Sequence, residues 1–273
     1  MSSTPTTHTV APQSGPHKYT IIFLHGRDST AADFASELFE SEITGGTQAD
    51  RTLPSILPTV RWVFPQAKQL PSERFGGTYM SQWFDMWSVE SPQERSEMQV
   101  PGLLASVERL AKIIEEEEKL VPRSRIFLAG ISQGFATVLA TFLADGKGHF
   151  AGLCGFCSWF PLADAVQQAC VDKIENAEKL AAVGRVYGGG SAAAGKTRLP
   201  TYFADTPILL EHARNDEVVP VANGRHMRDL LEKLGLGNIE WWEYEDGGHW
   251  INEPKGWNRF YAFLLDWMYR CGF

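Results

Sequence analysis

The sequence predicts an α/β fold in which a mostly parallel sheet is flanked by helices on both faces. Short apolar segments typical of strands alternate with longer segments whose apolar spacing is typical of helices. The strand segments are apolar enough to be buried on both faces, as strands of parallel sheets are. With 273 residues and 44% hydrophobic content, the chain can bury a sizeable core. We therefore expect one domain over residues 19–273, preceded by a disordered polar arm over residues 1–18.

The first half of the chain supplies three strands and three helices. YTIIFLHG (Tyr19 to Gly26), the segment from Arg61 to Phe64, and RIFLAG are short apolar runs that end at glycine or proline. Helices are predicted in AADFASELF, in FATVLATFLAD, and from Val100 to Leu120, where an apolar stripe lies opposite an acidic face. This order is typical of units in which a helix connects two parallel strands.

The second half continues the alternation, with one interruption. Strands are predicted in HFAGLCGFCSWF, PILLEHA and IEWWEYE, and helices in ANGRHMRDLLEKLG and GWNRFYAFLLDWMYR. Between Ala163 and Phe203 stand only one predicted helix, VQQACVDKIENAEKLAAV, and the flexible sequence GGGSAAAGK. We interpret this stretch, residues 163–203, as an insertion or mobile flap that covers a pocket or provides an interface.

Composition excludes several classes of function. A formal net charge of −8 argues against nucleic acid as a partner, because phosphates require clustered basic residues. No apolar stretch reaches the length of about 20 residues that spans a bilayer, and the N-terminus has no secretory signal, so we expect a cytoplasmic protein without integral membrane association. Four cysteines make a poor disulfide framework, and no histidine has the spacing of a zinc ligand, so no metal is expected. Cys154 and Cys157 are interpreted as core residues, although their pairing stays open.

GISQG, residues 130–134, stands between a predicted strand and a predicted helix. It matches the G-x-S-x-G turn, whose glycines permit a sharp bend that exposes the serine hydroxyl beyond the strand. Ser132 is then a nucleophile, and the following helix directs the positive end of its dipole at developing negative charge. The alternative is that Ser132 simply caps the helix that begins at Gln133.

A serine nucleophile needs a base and a group that orients the base. Asp216 lies in the polar loop after PILLEHA, and His249 lies in the glycine-rich loop after the last predicted strand. Other acids near these positions are weaker alternatives: Glu211, Glu217 and Asp246. The order Ser132, Asp216, His249 is that of the α/β-hydrolase fold.

The oxyanion formed in such a reaction needs two N–H donors. The backbone N–H of Gln133 follows the nucleophile directly, and that of Arg27 lies in the loop after the first predicted strand. We expect His25, which precedes this loop, to be a structural hydrogen-bonding residue.

These residues resemble the acyl-protein thioesterase and carboxylesterase group of α/β-hydrolases, also called the phospholipase/carboxylesterase family. The resemblance rests on IIFLHG, WVFPQA, SQWFDMWS, RIFLAGISQG, FCSWFPL, HARNDEVVP and DGGHW, which occur in that order between Tyr19 and Trp267. It implies cleavage of carboxylic esters or thioesters, with an acylated protein as one candidate substrate, through an acyl-serine intermediate and without a cofactor. Aromatic residues beside the site are implied as substrate-binding: Trp83, Phe84, Phe135, Trp159 and Trp250. Asp85 is implied to be structural.

Two departures concern the substrate. Arg27, Asp28 and Ser29 replace the Leu-Gly-Asp that usually follows HG in the family, which places a charged side chain beside the oxyanion loop, and the bulky Phe135 replaces a small residue. The alternative substrates are a lysophospholipid or a small-molecule ester. An alternative of another class is a non-catalytic binding protein on a hydrolase scaffold. The oligomeric state stays open.

Overall fold

The computed structural model describes residues 6–44, 50–189 and 201–270. Its centre is a seven-stranded sheet in the order β1-β3-β2-β6-β7-β8-β9, and β4 and β5 form a separate hairpin. The strands are β1 (Thr7–Val10), β2 (Tyr19–Leu24), β3 (Val60–Pro65), β4 (Lys68–Ser72), β5 (Thr78–Gln82), β6 (Ile126–Ile131), β7 (Gly152–Phe156), β8 (Ile208–Ala213) and β9 (Ile239–Tyr244). All pairs in the large sheet are parallel except β1 with β3.

Helices cover both faces of this sheet. They are α1 (Ala31–Glu40), α2 (Leu53–Ile56), α3 (Gln99–Glu118), α4 (Gln133–Asp145), α5 (Ala163–Cys170), α6 (Asn176–Val186), α7 (Thr201–Ala204), α8 (Val221–Lys233) and α9 (Lys255–Arg270). Among the helices within these ranges, none is long and apolar enough to cross a bilayer.

Two hydrophobic clusters lie on opposite faces of the sheet. Along β6, Ile126 and Leu128 belong to one cluster, which α3, α4 and α8 cover, whereas Phe127 and Ala129 belong to the other, which α1 and α9 cover. This alternation follows from the two-residue period of a strand. Because both faces are apolar and covered, the predicted α/β architecture is confirmed.

The expectation of a disordered arm was wrong for part of residues 1–18. Thr7–Val10 forms β1, which pairs antiparallel with β3 at the edge of the sheet. The strand is polar and mostly exposed, so it lacks the apolar pattern by which the inner strands are predicted. Its stability comes from backbone pairing and β-branched threonines instead. Residues 1–5 of the arm lie outside the described residues.

The described part of the predicted insertion is the crossover from β7 to β8. The predicted single helix is interrupted, giving α5 and α6, and α6 packs against α4. The Tyr187 hydroxyl donates to the Pro161 carbonyl at 2.6 Å, and the Phe203 ring stacks on Phe142 at 4.4 Å. α5, α6 and α8 border a groove of about 540 Å³ that contains none of the predicted site residues. Residues 190–200 lie outside the described part of the chain.

Gly155 in β7 provides the space into which the Phe135 ring packs. A Cβ added at Gly155 would lie 2.4 Å from Cε1 of Phe135, a fully buried side chain. At Gly237, by contrast, an added Cβ would meet nothing within 4 Å.

We predict that Gly155→Ala lowers the free energy of unfolding by about 1–3 kcal/mol, the usual cost of overpacking a core. Gly237→Ala is the matched control and should change it by less than about 0.5 kcal/mol. Urea denaturation of both variants measures the difference. Equal stability of the two variants would contradict the packing described above.

Candidate active site

Ser132 lies at a sharp turn between β6 and α4. Its backbone has φ +54° and ψ −126°, a strained conformation for a residue with a side chain. Glycines make this turn possible, because a Cβ at Gly130 would lie 2.5 Å from the Phe135 nitrogen and one at Gly134 would lie 2.3 Å from the Leu24 carbonyl oxygen. The turn therefore requires glycine at positions 130 and 134.

The Ser132 hydroxyl does not cap α4. Ser132 occupies the N-cap position, but its side chain makes no capping hydrogen bond. The backbone holds the residue instead: its N–H donates to the Phe156 carbonyl at 2.8 Å, and its carbonyl accepts from the Ser158 hydroxyl at 2.7 Å. Ser132 lines a cavity of about 370 Å³, which His249 also lines. The structure thus favours the exposed-hydroxyl interpretation over the helix-cap alternative.

Asp216 and His249 form a hydrogen-bonded pair across the ends of β8 and β9. His249 Nδ1 lies 2.8 Å from Asp216 Oδ2. The other carboxylate oxygen, Oδ1, accepts from the backbone N–H groups of Val218 and Val219, both at 2.9 Å. Within the described ranges, Ser132 and His249 share no hydrogen bond. Such bonds are often long without substrate and shorten in the reacting complex.

The alternative acids do not contact His249. Glu217 is exposed, and Glu211 is buried within β8. Asp246 stabilises its own loop, because its Oδ1 and its backbone carbonyl accept hydrogen bonds from the Asn252 side-chain amide at 3.1 and 2.8 Å. Asp216 is therefore the acid that the geometry places beside the histidine.

His212 is a part of this site that the sequence analysis did not identify. Its Nε2 lies 2.8 Å from the Val219 carbonyl oxygen and 3.2 Å from Asp216 Oδ2, so one N–H is shared between two acceptors. Burial of Asp216 opposes its ionisation, but hydrogen bonds from His212 and His249 outweigh this and hold the pKa of the carboxyl well below its ordinary value. The spacing of His212 and Asp216 was visible in the sequence, but only the turn after β8 brings them together.

Of the two predicted oxyanion donors, Arg27 lies at the cavity and Gln133 directly follows Ser132, which lines it. Arg27 lines it beside Ser132, and Gln133 begins α4, where the first N–H groups have no partner within the helix. Neither backbone N–H donates to an acceptor among the described residues. The Arg27 loop is close to the nucleophile, because a Cβ added at Gly26 would lie 3.7 Å from Cβ of Ser132.

A backbone hydrogen bond holds the oxyanion loop in place, and side-chain hydrogen bonds of Gln133 hold the start of α4. The Gln133 side chain accepts from the Trp83 N–H and donates to the Phe84 carbonyl, both at 2.8 Å. The Asp28 N–H donates to the Ser81 carbonyl at 2.7 Å. The start of α4 is thus attached to the segment that follows β5, and the loop of Arg27 is attached to β5 itself, which makes both predicted donors preorganised.

His25 is a structural residue, as expected. Its Nε2 accepts from the Ala67 N–H at 3.0 Å, so its Nδ1 carries the proton and donates to the Gly26 carbonyl at 2.7 Å. Desolvation of the fully buried ring lowers its pKa from 6.5 to about 4.

Of the five predicted substrate-binding aromatics, Trp250 lines the cavity beside Ser132. The other four do not line this cavity and are at most 3% exposed in the core: Trp83, Phe84, Phe135 and Trp159. The aromatic side chains that the prediction missed at this cavity are Phe34 on α1 and Phe75 in the turn between β4 and β5.

Cys154 and Cys157 are free and buried, so the interpretation as core cysteines is confirmed. The Cys157 thiol lies with His212 and Asp216 in a cluster whose donor atoms are within 4.8 Å of one another. These atoms already hydrogen-bond within the protein, and the Cys157 thiol donates to the Trp250 carbonyl at 3.4 Å. We assign no metal to this cluster.

Comparison with known proteins identifies the family. The profile of the phospholipase/carboxylesterase family matches residues 5–182, more than half of the chain, and that of the prolyl oligopeptidase family matches residues 106–272. The chain belongs to the phospholipase/carboxylesterase family. Acyl-protein thioesterase 1 of Yarrowia lipolytica is 28% identical over 241 residues, covering 87% of each chain, and that of Schizosaccharomyces pombe is 28% identical over 222 residues, covering 81% of this chain and 79% of that protein.

Solved structures agree with this assignment. Acyl-protein thioesterase 2 of Zea mays superposes with a TM-score of 0.70 at 24% identity, covering 97% of this chain and 100% of that one. The α/β-hydrolase fold is therefore confirmed, and the family match together with the acyl-protein thioesterase relatives confirms the class of activity, a serine hydrolase acting on carboxylic esters or thioesters. The prolyl oligopeptidase match spans β6 to β9, the part of the fold that carries serine, acid and histidine in α/β-hydrolases.

The buried neutral His25 predicts a loss of stability in acid. Because its pKa is about 4 in the folded state and about 6.5 in an unfolded chain, the unfolded chain takes up a proton first as the pH falls. The stability present above pH 6.5 should thus decrease by about 2 kcal/mol between pH 7 and pH 5. Urea unfolding of wild type and His25→Asn at both pH values isolates this contribution. An identical pH dependence in the two proteins would refute it.

The hydrogen bond from His212 predicts an effect on activity through Asp216. His212→Leu removes the donor and should lower kcat/KM by roughly tenfold. It should also move the acidic limb of the pH profile to higher pH, because a carboxylate with fewer donors attracts the His249 proton more strongly. His212→Gln keeps an N–H donor and should retain most activity. The exposed His226 provides the control variant His226→Leu; an unchanged pH profile in His212→Leu would contradict this role.

Proposed function

We propose that Ser132, His249 and Asp216 are the catalytic triad of an acyl esterase or thioesterase. The proposal rests on the 2.8 Å hydrogen bond between His249 and Asp216. His249 lines the same cavity as Ser132, which lies in a strained turn. Nucleophile, base and orienting acid are the three parts that serine hydrolysis needs.

In the proposed reaction, His249 takes the proton of the Ser132 hydroxyl through Nε2 as the oxygen attacks the acyl carbonyl. Asp216 accepts a hydrogen bond from Nδ1, which fixes the tautomer and stabilises the imidazolium. The N–H groups of Arg27 and Gln133 bind the oxyanion. His249 then protonates the departing alcohol or thiol, and water attacks the acyl-serine with the same base to release the acid.

An acyl group is supported as the substrate by the walls of the cavity. Apolar side chains from separate elements surround it: Phe34, Phe75, Met80, Val89, Val218 and Trp250. Such walls bury an aliphatic chain, while a few polar groups set its orientation. The acyl-protein thioesterase relatives support an acylated protein as one form of this substrate. A cytoplasmic location is supported by the free thiols of Cys154, Cys157 and Cys170.

Substitution of the triad should abolish turnover. We expect Ser132→Ala and His249→Ala to lower kcat by at least about 10⁴-fold, and Asp216→Asn to retain tens of times more activity than either. Ser29 lines the same cavity and Glu217 adjoins the acid, so Ser29→Ala and Glu217→Gln are matched controls that should stay within a few fold of wild type.

Hydrolysis of matched short-chain and long-chain p-nitrophenyl esters and acyl thioesters measures these effects and identifies the substrate class. Ser132-dependent preference for long acyl thioesters supports the thioesterase function, whereas preference for short oxygen esters indicates a small-molecule carboxylesterase. Full activity of Ser132→Ala, or no labelling of wild type by a fluorophosphonate, would reject the triad.

A further inference from the structure

Arg27 contributes more to the cavity than a backbone N–H. Its side chain is partly exposed and lines the same cavity as Ser132 and His249. Its position in the chain, directly after Gly26 in the loop that follows β2, places it at the cavity that Ser132 lines. A positive charge therefore lies within the site. An apolar acyl chain alone would make no favourable electrostatic interaction with it.

This charge has no partner within the described part of the protein. The Arg27 guanidinium lies within 4.0 Å of no described carboxylate, and its Nη1 is buried without a hydrogen bond. Its nearest described ring is Phe75, whose centroid lies 5.7 Å from Cζ. Burial and the charge of Arg74 lower the pKa of Arg27, so the cation is less favoured there than in water. An unpaired, partly desolvated cation is costly unless a ligand pairs with it.

The charged neighbours of Arg27 are already engaged or exposed. Arg74 pairs with Glu90 at 3.3 Å and donates to a backbone carbonyl. Asp85 accepts from the backbone N–H groups of Glu73 and Met86, at 3.1 and 2.9 Å. Asp85 and Glu90 both lie more than 4.0 Å from the Arg27 guanidinium, so they stabilise its charge only at longer range and do not pair with it.

Two acidic residues, Asp28 and Glu37, also line the cavity, and both are exposed to solvent. Water screens exposed charges strongly, whereas it screens a partly buried one much less. Glu37 and Trp250 continue into an acidic groove with Glu40, Glu42 and Glu253. Arg27 thus lies at the Phe75 end of the cavity, whereas Glu37 and the acidic groove lie toward α1.

We propose that the Arg27 guanidinium binds an anionic group, a carboxylate or a phosphate, carried by the ester or thioester substrate at the Phe75 end of the cavity. Guanidinium presents paired N–H donors that match the oxygens of either anion. This inference rests on the proposed function, because Ser132 must be the nucleophile for the anion to be placed by the same substrate. The backbone N–H of Arg27 then binds the oxyanion, and its side chain selects substrates that carry an anionic group.

The test compares substrates that differ by one charged group. An acyl arm uses p-nitrophenyl hexanoate, its analogue with a terminal carboxylate, and its analogue with a terminal amine. A leaving-group arm compares p-nitrophenyl butyrate with the 3-carboxy-4-nitrophenyl ester. A phosphate arm compares a hexanoyl glycerol with the corresponding hexanoyl glycerol phosphate. Each kcat/KM is divided by the rate of hydroxide-catalysed hydrolysis of the same compound.

In at least one arm, wild type should prefer the anionic substrate roughly tenfold over the neutral one, the factor typical of a hydrogen bond to a charged group. Arg27→Gln should reduce this ratio to about one, and Arg27→Lys should keep part of it. Arg74→Gln is the matched control, because it removes an arginine that also lies near Phe75, at 5.9 Å, but is paired and outside the cavity. Its ratio should change by less than about threefold.

Several outcomes would overturn the proposal. They are an anionic-to-neutral ratio of one or less in every arm of wild type, a preference for the amine, or an equal ratio in wild type and Arg27→Gln. The anionic-to-neutral ratio of the wild type can overturn the proposal even if a variant fails to fold. Ser132-dependent hydrolysis of the neutral esters separates the two proposals, since its loss rejects the triad and its persistence without charge preference rejects only the role of Arg27.

Discussion

The close approach of the turn at Ser132 to the end of β2 is the constraint on which the site depends. The Gly134 position faces the Leu24 and His25 carbonyl oxygens so closely that a Cβ would lie 2.3 and 2.5 Å from them. This contact holds the start of α4 against the loop that carries Arg27. Nucleophile and both predicted oxyanion donors therefore share one rigid unit, and the strain at Ser132 is maintained by packing on several sides.

The acid and the histidine reach this unit through strand order. β6, β7, β8 and β9 are parallel neighbours, so the loops after their carboxyl ends meet along one edge of the sheet. Asp216 follows β8 and His249 follows β9, and backbone N–H groups, His212 and His249 together surround one carboxylate. The buried carboxylate keeps its charge because each of its oxygens accepts hydrogen bonds.

The sequence predicted the positions of candidate site residues where a reactive residue type directly follows a predicted strand. The proximity of three residues could be predicted because each follows an apolar strand, and the order of these strands determines where the residues lie relative to one another. They are Ser132, Asp216 and His249. Aromatic residues carry no such signal: Trp83 and Trp250 are the same residue type, yet one is buried and the other lines the cavity. Phe75 was missed because the β4–β5 hairpin, like β1, is largely exposed and has no apolar period.

In the function proposed above, the backbone of Arg27 serves the chemistry and its side chain determines selectivity. Any residue at position 27 other than proline supplies a backbone N–H, so the chemistry tolerates substitution there, whereas the side chain directly determines the charge of the cavity wall. One end of that wall is apolar at Phe75, and the other end, toward α1, is acidic because of its glutamates. On this proposal, a change confined to one short loop would redirect the hydrolase to a differently charged substrate, because the proposed triad, the turn at Ser132 and the sheet beneath them need not move.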